Sequence, residues 1–277
     1  MTELQRLTIC AVIAARNEKP YLQFILPLLA EQSIDVAILD HESTDGSHDL
    51  YKQLRYNPVV AVEHLPHTGE FSLSDQLLAK QQLAEGLPHA WLVHHDADEL
   101  MHHCNGIFNL RQCIEEAEAE GANALNFEEF VFLPDPGLQP THVNYLGDHK
   151  HYYYFVPAEN RLNRAFRREL IGCNLAGAGH VLQCDHLKLS ATTHVLRHYI
   201  ALSEAHIKQK YASRKFSASE LARGWHSNRV AIPPDSLRIP RFSPYLCTVS
   251  PAHPGLLERS RPASKHYWQW NSEERME

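Results

Sequence analysis

Apolar and polar residues alternate in blocks along the first hundred positions. LTICAVIAA, residues 7–15, is a continuous apolar run with β-branched members, which predicts a buried strand of the parallel kind. The polar break RNEKP follows, and its Pro20 suits the first turn of a helix. YLQFILPLLAEQ then has helical spacing, with Pro27 as a point for a kink. DVAILD, 35–40, predicts a second buried strand. HESTDGSHD is rich in turn formers and cap residues, DLYKQLRY reads as a helix, and PVVAVEHL, 58–65, reads as a third strand. SLSDQLLAKQQLAEGL, 72–87, has the helical period, with Ser72 or Ser74 as N-cap and Gly86 and Pro88 as stop signals. AWLVHHD predicts a fourth strand.

Strands alternating with helices predict an α/β fold of Rossmann type, a mostly parallel sheet with helices on both faces. Ligands of such sheets bind at the carboxyl ends of the strands. Three of these ends are AARNE, LDHESTDGS and HHDADE, all polar and acidic, and all should open on one edge.

Beyond residue 105 the pattern loosens. LRQCIEEAEAEG predicts a helix ending at Gly121, and ANALNFEEFVFL, HYYYFV and HLKLSATTHVLRHYI each predict a strand. NRAFRREL and GCNLAGAGHVLQ read as short strands or turns. SEAHIKQKYASRKFSASEL predicts a helix capped by Ser203. From Ile232 the chain is proline-rich and aperiodic, either a wrapping arm or partly disordered.

Composition narrows the class. Of 277 residues, 44% are hydrophobic and 21% charged, as in a globular protein with a sizeable core. The net charge of −7 and the lack of a strongly basic stretch exclude a nucleic-acid partner. RLNRAFRR, 161–168, suits an anionic small molecule better than a duplex. There is neither a secretory leader nor an apolar run long enough for a membrane helix, so a cytoplasmic location is expected. The six cysteines are scattered without a CxxC pair, as expected of buried thiols.

The chemistry concentrates in WLVHHDADEL, where a buried strand ends on Asp96, Asp98 and Glu99. Two aspartates one residue apart at a strand end can share a divalent ion, and hard oxygen ligands with open positions suit Mg²⁺ or Mn²⁺. Such an ion neutralises a diphosphate leaving group. Lys80, one helix earlier, is within reach of a diphosphate or is simply solvated. His180 follows the glycines of GAG, which let backbone approach a ligand closely.

These motifs carry a resemblance. AARNEKPYLQFILPLLAEQSIDVAILDHESTDGS resembles the opening of the family 2 glycosyltransferases of the GT-A fold. WLVHHDADEL resembles their D-x-D strand, and LRHYIALSEAHIKQKY with GWHSNR resembles a subgroup with a histidine-tyrosine pair and a basic helix. The likeness spans residues 7–105, is partial over 160–230 and stops at 232. It implies one GT-A domain, 1–231, with a nucleotide-sugar half (1–105) and an acceptor and catalytic half (106–231), then a tail (232–277). It implies sugar transfer with inversion from a UDP-, GDP- or dTDP-linked donor to a glycan or lipid-linked acceptor, with possible peripheral membrane contact, assisted by Mn²⁺ or Mg²⁺.

Residue by residue, the resemblance gives Glu18 and Asp40 to the nucleoside, Asp96 to the ribose or metal, and Asp98 to the metal. It leaves Glu99 between site wall and support, and gives Asp45 a helix-capping role. His198 is a further metal ligand or a diphosphate contact, His180 belongs to the acceptor side, and Arg197, Lys208 and Lys210 screen the diphosphate. An inverting transfer needs a general base. The family's E-D pair opening a helix is missing here. Asp185 and Glu204 fall in the right region, and Glu128 and Glu129 lie closer in sequence.

Three alternatives compete: a metal-dependent phosphoesterase built on the His94-His95 and His102-His103 pairs, a non-catalytic sugar-binding domain, and a zinc site at His102, His103, Cys104 and Cys113. The last spacing matches no common zinc ligand set.

Overall fold

The computed structural model describes residues 7–55, 57–136, 144–212, 214–226, 229–230 and 232–275. The amino-terminal half is β1 (Ile9–Ala15), α1 (Lys19–Glu31), β2 (Asp35–Asp40), α2 (Ser47–Gln53), β3 (Val59–His64), α3 (Leu73–Glu85) and β4 (Trp91–Asp96). The four strands pair in parallel in the order β3-β2-β1-β4. The α/β, Rossmann-like expectation is thus met.

Alternation along β1 explains the layers. Ile9, Ala11 and Ile13 pack with Tyr21, Leu22, Ile25 and Leu29 of α1 on one face. Cys10 and Val12 point to the other face, toward Ala84 of α3. A strand buried on both faces reads as an unbroken apolar run, as LTICAVIAA does. Helix α1 runs through Pro27, and Ser72 caps α3 by accepting from Asp75 N at 3.3 Å.

The remaining elements are β5 (Glu99–His102), α4 (Leu110–Glu120), β6 (Ala124–Leu133), α5 (Tyr145–Asp148), β7 (His151–Phe155), β8 (Ala165–Arg167), β9 (Leu189–Tyr199), α6 (Glu204–Ala212), α7 (Ala218–Ala222), β10 (Cys247–Thr248) and β11 (Pro262–Ala263). They extend the sheet through β8, β6 and β7, with β9 bridging β6 and β5.

Two expectations change. The single helix expected over 203–221 is two, because Phe71 N donates to Lys215 O at 2.8 Å and draws the chain between α6 and α7 into an extended contact. Ser203 does cap α6, accepting from His206 N at 3.1 Å. The tail is an ordered arm where described: β10 and β11 both pair with β7, and Ile239, Tyr267, Trp268 and Trp270 bury against Val131, Tyr153 and Phe155. Among the described residues no helix is long and apolar enough to cross a membrane.

Candidate functional site

A cavity of about 1140 Å³ opens where the carboxyl ends of β1 and β4 meet α6 and the tail. Its floor is the DADE segment. Asp96 is the last residue of β4, Asp98 sits in the following turn, and Glu99 opens β5. Strand β5 runs antiparallel to β9 with Glu99 opposite His198, and Tyr199 N donates to Asp98 O at 2.8 Å. That register carries His198 to Asp98. Their Nε2 and Oδ2 atoms are 3.4 Å apart, and His198 Nδ1 bonds Glu129 Oε1 of β6 at 2.7 Å.

Each acid on the floor has a cation. Lys210 of α6 donates to Asp98 Oδ2 at 2.6 Å. Burial pushes the Asp98 carboxyl up, but Lys210 and His198 outweigh it and hold it below the usual carboxylate range. Asp96 is shared between Lys80 at 3.2 Å and Arg164 at 3.1 Å, which likewise overcome burial and hold its carboxyl well down. Arg164 also donates to Glu99 at 2.6 Å, yet burial still raises Glu99 to about 7. Arg161 pairs with Glu129. Glu18, just past β1, is raised to about 7 by burial, partly offset by Lys210, and its Oε2 has no hydrogen-bond partner among the described residues.

Several expected residues stand elsewhere. Asp40 is 1% exposed and does not line the cavity, because its carboxylate accepts from Ser43 N at 2.9 Å and from the Tyr51 hydroxyl at 3.1 Å. Arg197 faces away: strand alternation that turns His198 inward turns Arg197 outward, where it bonds His102 Nε2 at 3.1 Å and lies 4.7 Å from the Phe108 ring centre. Lys80 is buried as the counterion of Asp96, donating also to His95 O at 3.0 Å, so it cannot reach a diphosphate. Glu204 pairs with Lys208 at 2.7 Å outside the cavity, and Asp185 is exposed on a distant loop. Neither lines the cavity. Asp96, expected to share a metal, has both carboxylate oxygens taken by Lys80 and Arg164.

Other expected residues do line the cavity: Glu18, Asp96, Asp98, His180 and His198. Burial, with Arg164 and Arg161 nearby, pulls His180 well below its ordinary value, so its ring is neutral. Gly179 beside it has φ +77°, and an added Cβ would meet Leu77 Cδ2 at 2.9 Å, so glycine is required there. Asp45 caps as expected, but on two helices: it accepts from Lys19 N of α1 at 2.9 Å and from Ser47 N of α2 at 3.0 Å.

The sequence did not single out Arg164, nor the tail residues Lys265 and His266 on the cavity wall. RLNRAFRR signalled an anion but not which arginine. The tail offered no motif at all.

Among the described residues, nine lysines and arginines and six carboxylates line the cavity, in a chain of net charge −7. With the acids on the floor already paired, the surplus positive charge suits an anionic ligand.

Asp98 Oδ2 and His198 Nε2 are the floor atoms with the spacing of neighbouring metal ligands, and Lys210, now on that oxygen at 2.6 Å, would have to share it with an ion. Two adjacent ligands on an octahedral ion with bonds of ~2.1 Å lie roughly 3 Å apart, close to the Asp98–His198 separation. Glu129 on the other ring nitrogen is the outer partner that metal-binding histidines commonly have.

No family model matches the sequence, and no curated protein matches it. Solved structures show similarity at low identity. Staphylococcus aureus TarS 1-349 is 13% identical over 70% of this chain and 60% of that one, with a TM-score of 0.47. A UDP-glucose pyrophosphorylase complexed with UDP-glucose is 12% identical over 53% of this chain and 66% of that one, TM-score 0.32. The galactosyltransferase LgtC, with donor and acceptor sugar analogs, is 14% identical over 53% and 55%, TM-score 0.25. The chain thus spans 60% of the TarS segment it resembles, and its activity has to be read from the cavity.

Proposed function

We propose that this chain is a glycosyltransferase that moves a sugar from a nucleoside diphosphate sugar (UDP-, GDP- or dTDP-linked) to a glycan or lipid-linked acceptor, with inversion. The observation that carries the reading is the Asp98–His198 pair, 3.4 Å apart on the floor of a cation-lined cavity at the carboxyl ends of parallel strands. Ligands of open α/β sheets bind at that edge.

The roles follow from the contacts. Asp98 and His198 would hold Mn²⁺ or Mg²⁺, which when bound supplies Lewis-acid stabilisation of the departing diphosphate. Lys210, fixed on Asp98, places an ammonium beside the same oxygens. Arg164 locks Asp96 and Glu99 in one orientation, leaving Asp96, 39% exposed at its side chain, to meet donor hydroxyls. His180, held well below its ordinary value, would meet the acceptor as a neutral ring, while Glu18, raised to about 7 and with one carboxylate oxygen unpartnered among the described residues, would take its proton. A base must combine reach with such a pKa.

Calorimetric titration of UDP, GDP and dTDP, with and without Mn²⁺, tests the reading on the wild type and on Asp98→Ala. Metal-dependent binding of one nucleotide, lost in the variant, is expected. A folded protein that binds none of them refutes the donor site.

A further inference from the structure

A second cluster of metal-ligand side chains lies outside the cavity. His103 and Cys104 follow β5, and His194 projects from β9; one ligand atom of each falls within 4.8 Å of the others. None of the three lines the donor cavity. The zinc set suggested by sequence proximity is not the one assembled. His102 is taken by Arg197, and the Cys113 thiol donates to Asn109 O at 3.2 Å. The third member comes from a strand more than eighty residues away.

Two details set the cluster apart from chance packing. His194 is 1% exposed, and its Nδ1 has no hydrogen-bond partner among the described residues, a cost of about 1–3 kcal/mol that a ligand would remove. His103 Nε2 bonds Glu116 Oε2 of α4 at 2.8 Å. That carboxylate fixes the proton on Nε2 and leaves the Nδ1 lone pair 3.8 Å from Cys104 Sγ. Carboxylate on one ring nitrogen and metal on the other is the usual arrangement of a metal-bound histidine.

We propose that His103, Cys104 and His194 form a zinc site that ties the turn after β5 to β9 and, through Glu116, to α4. Two imidazoles and a thiolate are the donor set zinc prefers, and they exclude the hard Mg²⁺ and Ca²⁺ ions. Bonds of about 2.0 Å to nitrogen and 2.3 Å to sulfur ask the three side chains to close by about 1 Å. The Asn105 N–H, which donates to His103 Nδ1 at 3.1 Å, yields that lone pair to the ion. The thiol gives up its proton to water on binding, and the fourth position stays open to solvent.

The test is titration of the metal-free full chain with Co²⁺, which takes zinc's place and absorbs in the near ultraviolet only when sulfur ligates it. Among the described residues the donor cavity lining holds no cysteine, so the band does not come from an ion there, and the Cys104→Ser variant separates this cluster from the other free thiols. One equivalent should produce the band and Zn²⁺ should abolish it. Cys104→Ser and His194→Gln should lack it, and Glu116→Gln should weaken binding about tenfold or more. On the unaltered protein, Zn²⁺ should slow alkylation of one thiol, which peptide mapping identifies as Cys104. No band from a folded wild type, a band that survives Cys104→Ser, or protection at another cysteine would overturn the proposal. Should the variants fail to fold, the alkylation map decides.

Discussion

Lys210 Nζ donates to Asp98 Oδ2 at 2.6 Å, so the acid at the centre of the cavity already holds a cation of the chain's own. Both side chains are 10% exposed. Breaking such a pair strands a charge, at a cost of about 3–5 kcal/mol. Lys210→Met should lose stability on that scale, and Mn²⁺ should restore part of it by replacing the missing charge. Thermal unfolding with and without Mn²⁺ checks this. Equal stabilisation of wild type and variant by Mn²⁺ would count against an ion at Asp98.

Glu18 makes the protein less stable as pH rises. Burial lifts its folded pKa from 4.5 to about 7, so the folded chain holds that proton more tightly than the unfolded chain does. Stability therefore falls between about pH 4.5 and 7, and the penalty is complete above 7. Glu18→Gln should flatten that limb and stabilise the protein above pH 7 by about 3 kcal/mol. Urea unfolding at pH 5 and pH 8 measures it. An unchanged difference between the two pH values would show that Glu18 is not the group responsible.

Arg164 serves two acids at once. Arg164→Leu leaves Glu99 and Asp96 without it and should cost about 3–5 kcal/mol. Adding Glu99→Gln removes one stranded charge, so the double variant should recover part of the loss. A double-mutant cycle in denaturant provides the reading; strictly additive losses would mean the two side chains do not act together.

Arg197→Leu should separate stability from binding. The side chain loses its bond to His102 and its packing on Phe108 and Phe132, worth about 2 kcal/mol or more. It does not line the cavity, so nucleotide affinity measured by calorimetry should stay within about twofold. A larger fall would place Arg197 in the site after all.

The order of strands and helices through Asp96 was legible because each strand carries a compact apolar run and the segments between them carry turn formers and breakers. The DADE cluster was legible for the same reason: acids directly after an apolar run mark a strand end. Facing was not. Arg197 and His198 are neighbours with similar chemistry, and only the pairing of Glu99 with His198 decides which of them enters the cavity. Lys80 looked like a free cation because its partner Asp96 lies sixteen residues away on another element. Glu204 looked like a base because it opens a helix. Yet α6 turns Ala205, His206 and Lys210 toward the cavity and leaves Glu204 outside it. Helical phase and strand register are fixed by packing, and no single segment encodes them.

The tail's contribution concerns timing. Residues 264–266 and Gln269 form part of the cavity wall, and β11 docks on β7, more than a hundred residues earlier. A chain emerging from the ribosome can complete the β1–β4 sheet early, but its cavity stays unwalled until these residues have left the exit tunnel. Until then Val131, Tyr153 and Phe155 lack the indole and phenol rings that cover them in the finished protein. Premature termination between α6 and Tyr267 would therefore yield a chain with a paired DADE floor and an exposed apolar face, a form suited to chaperone capture.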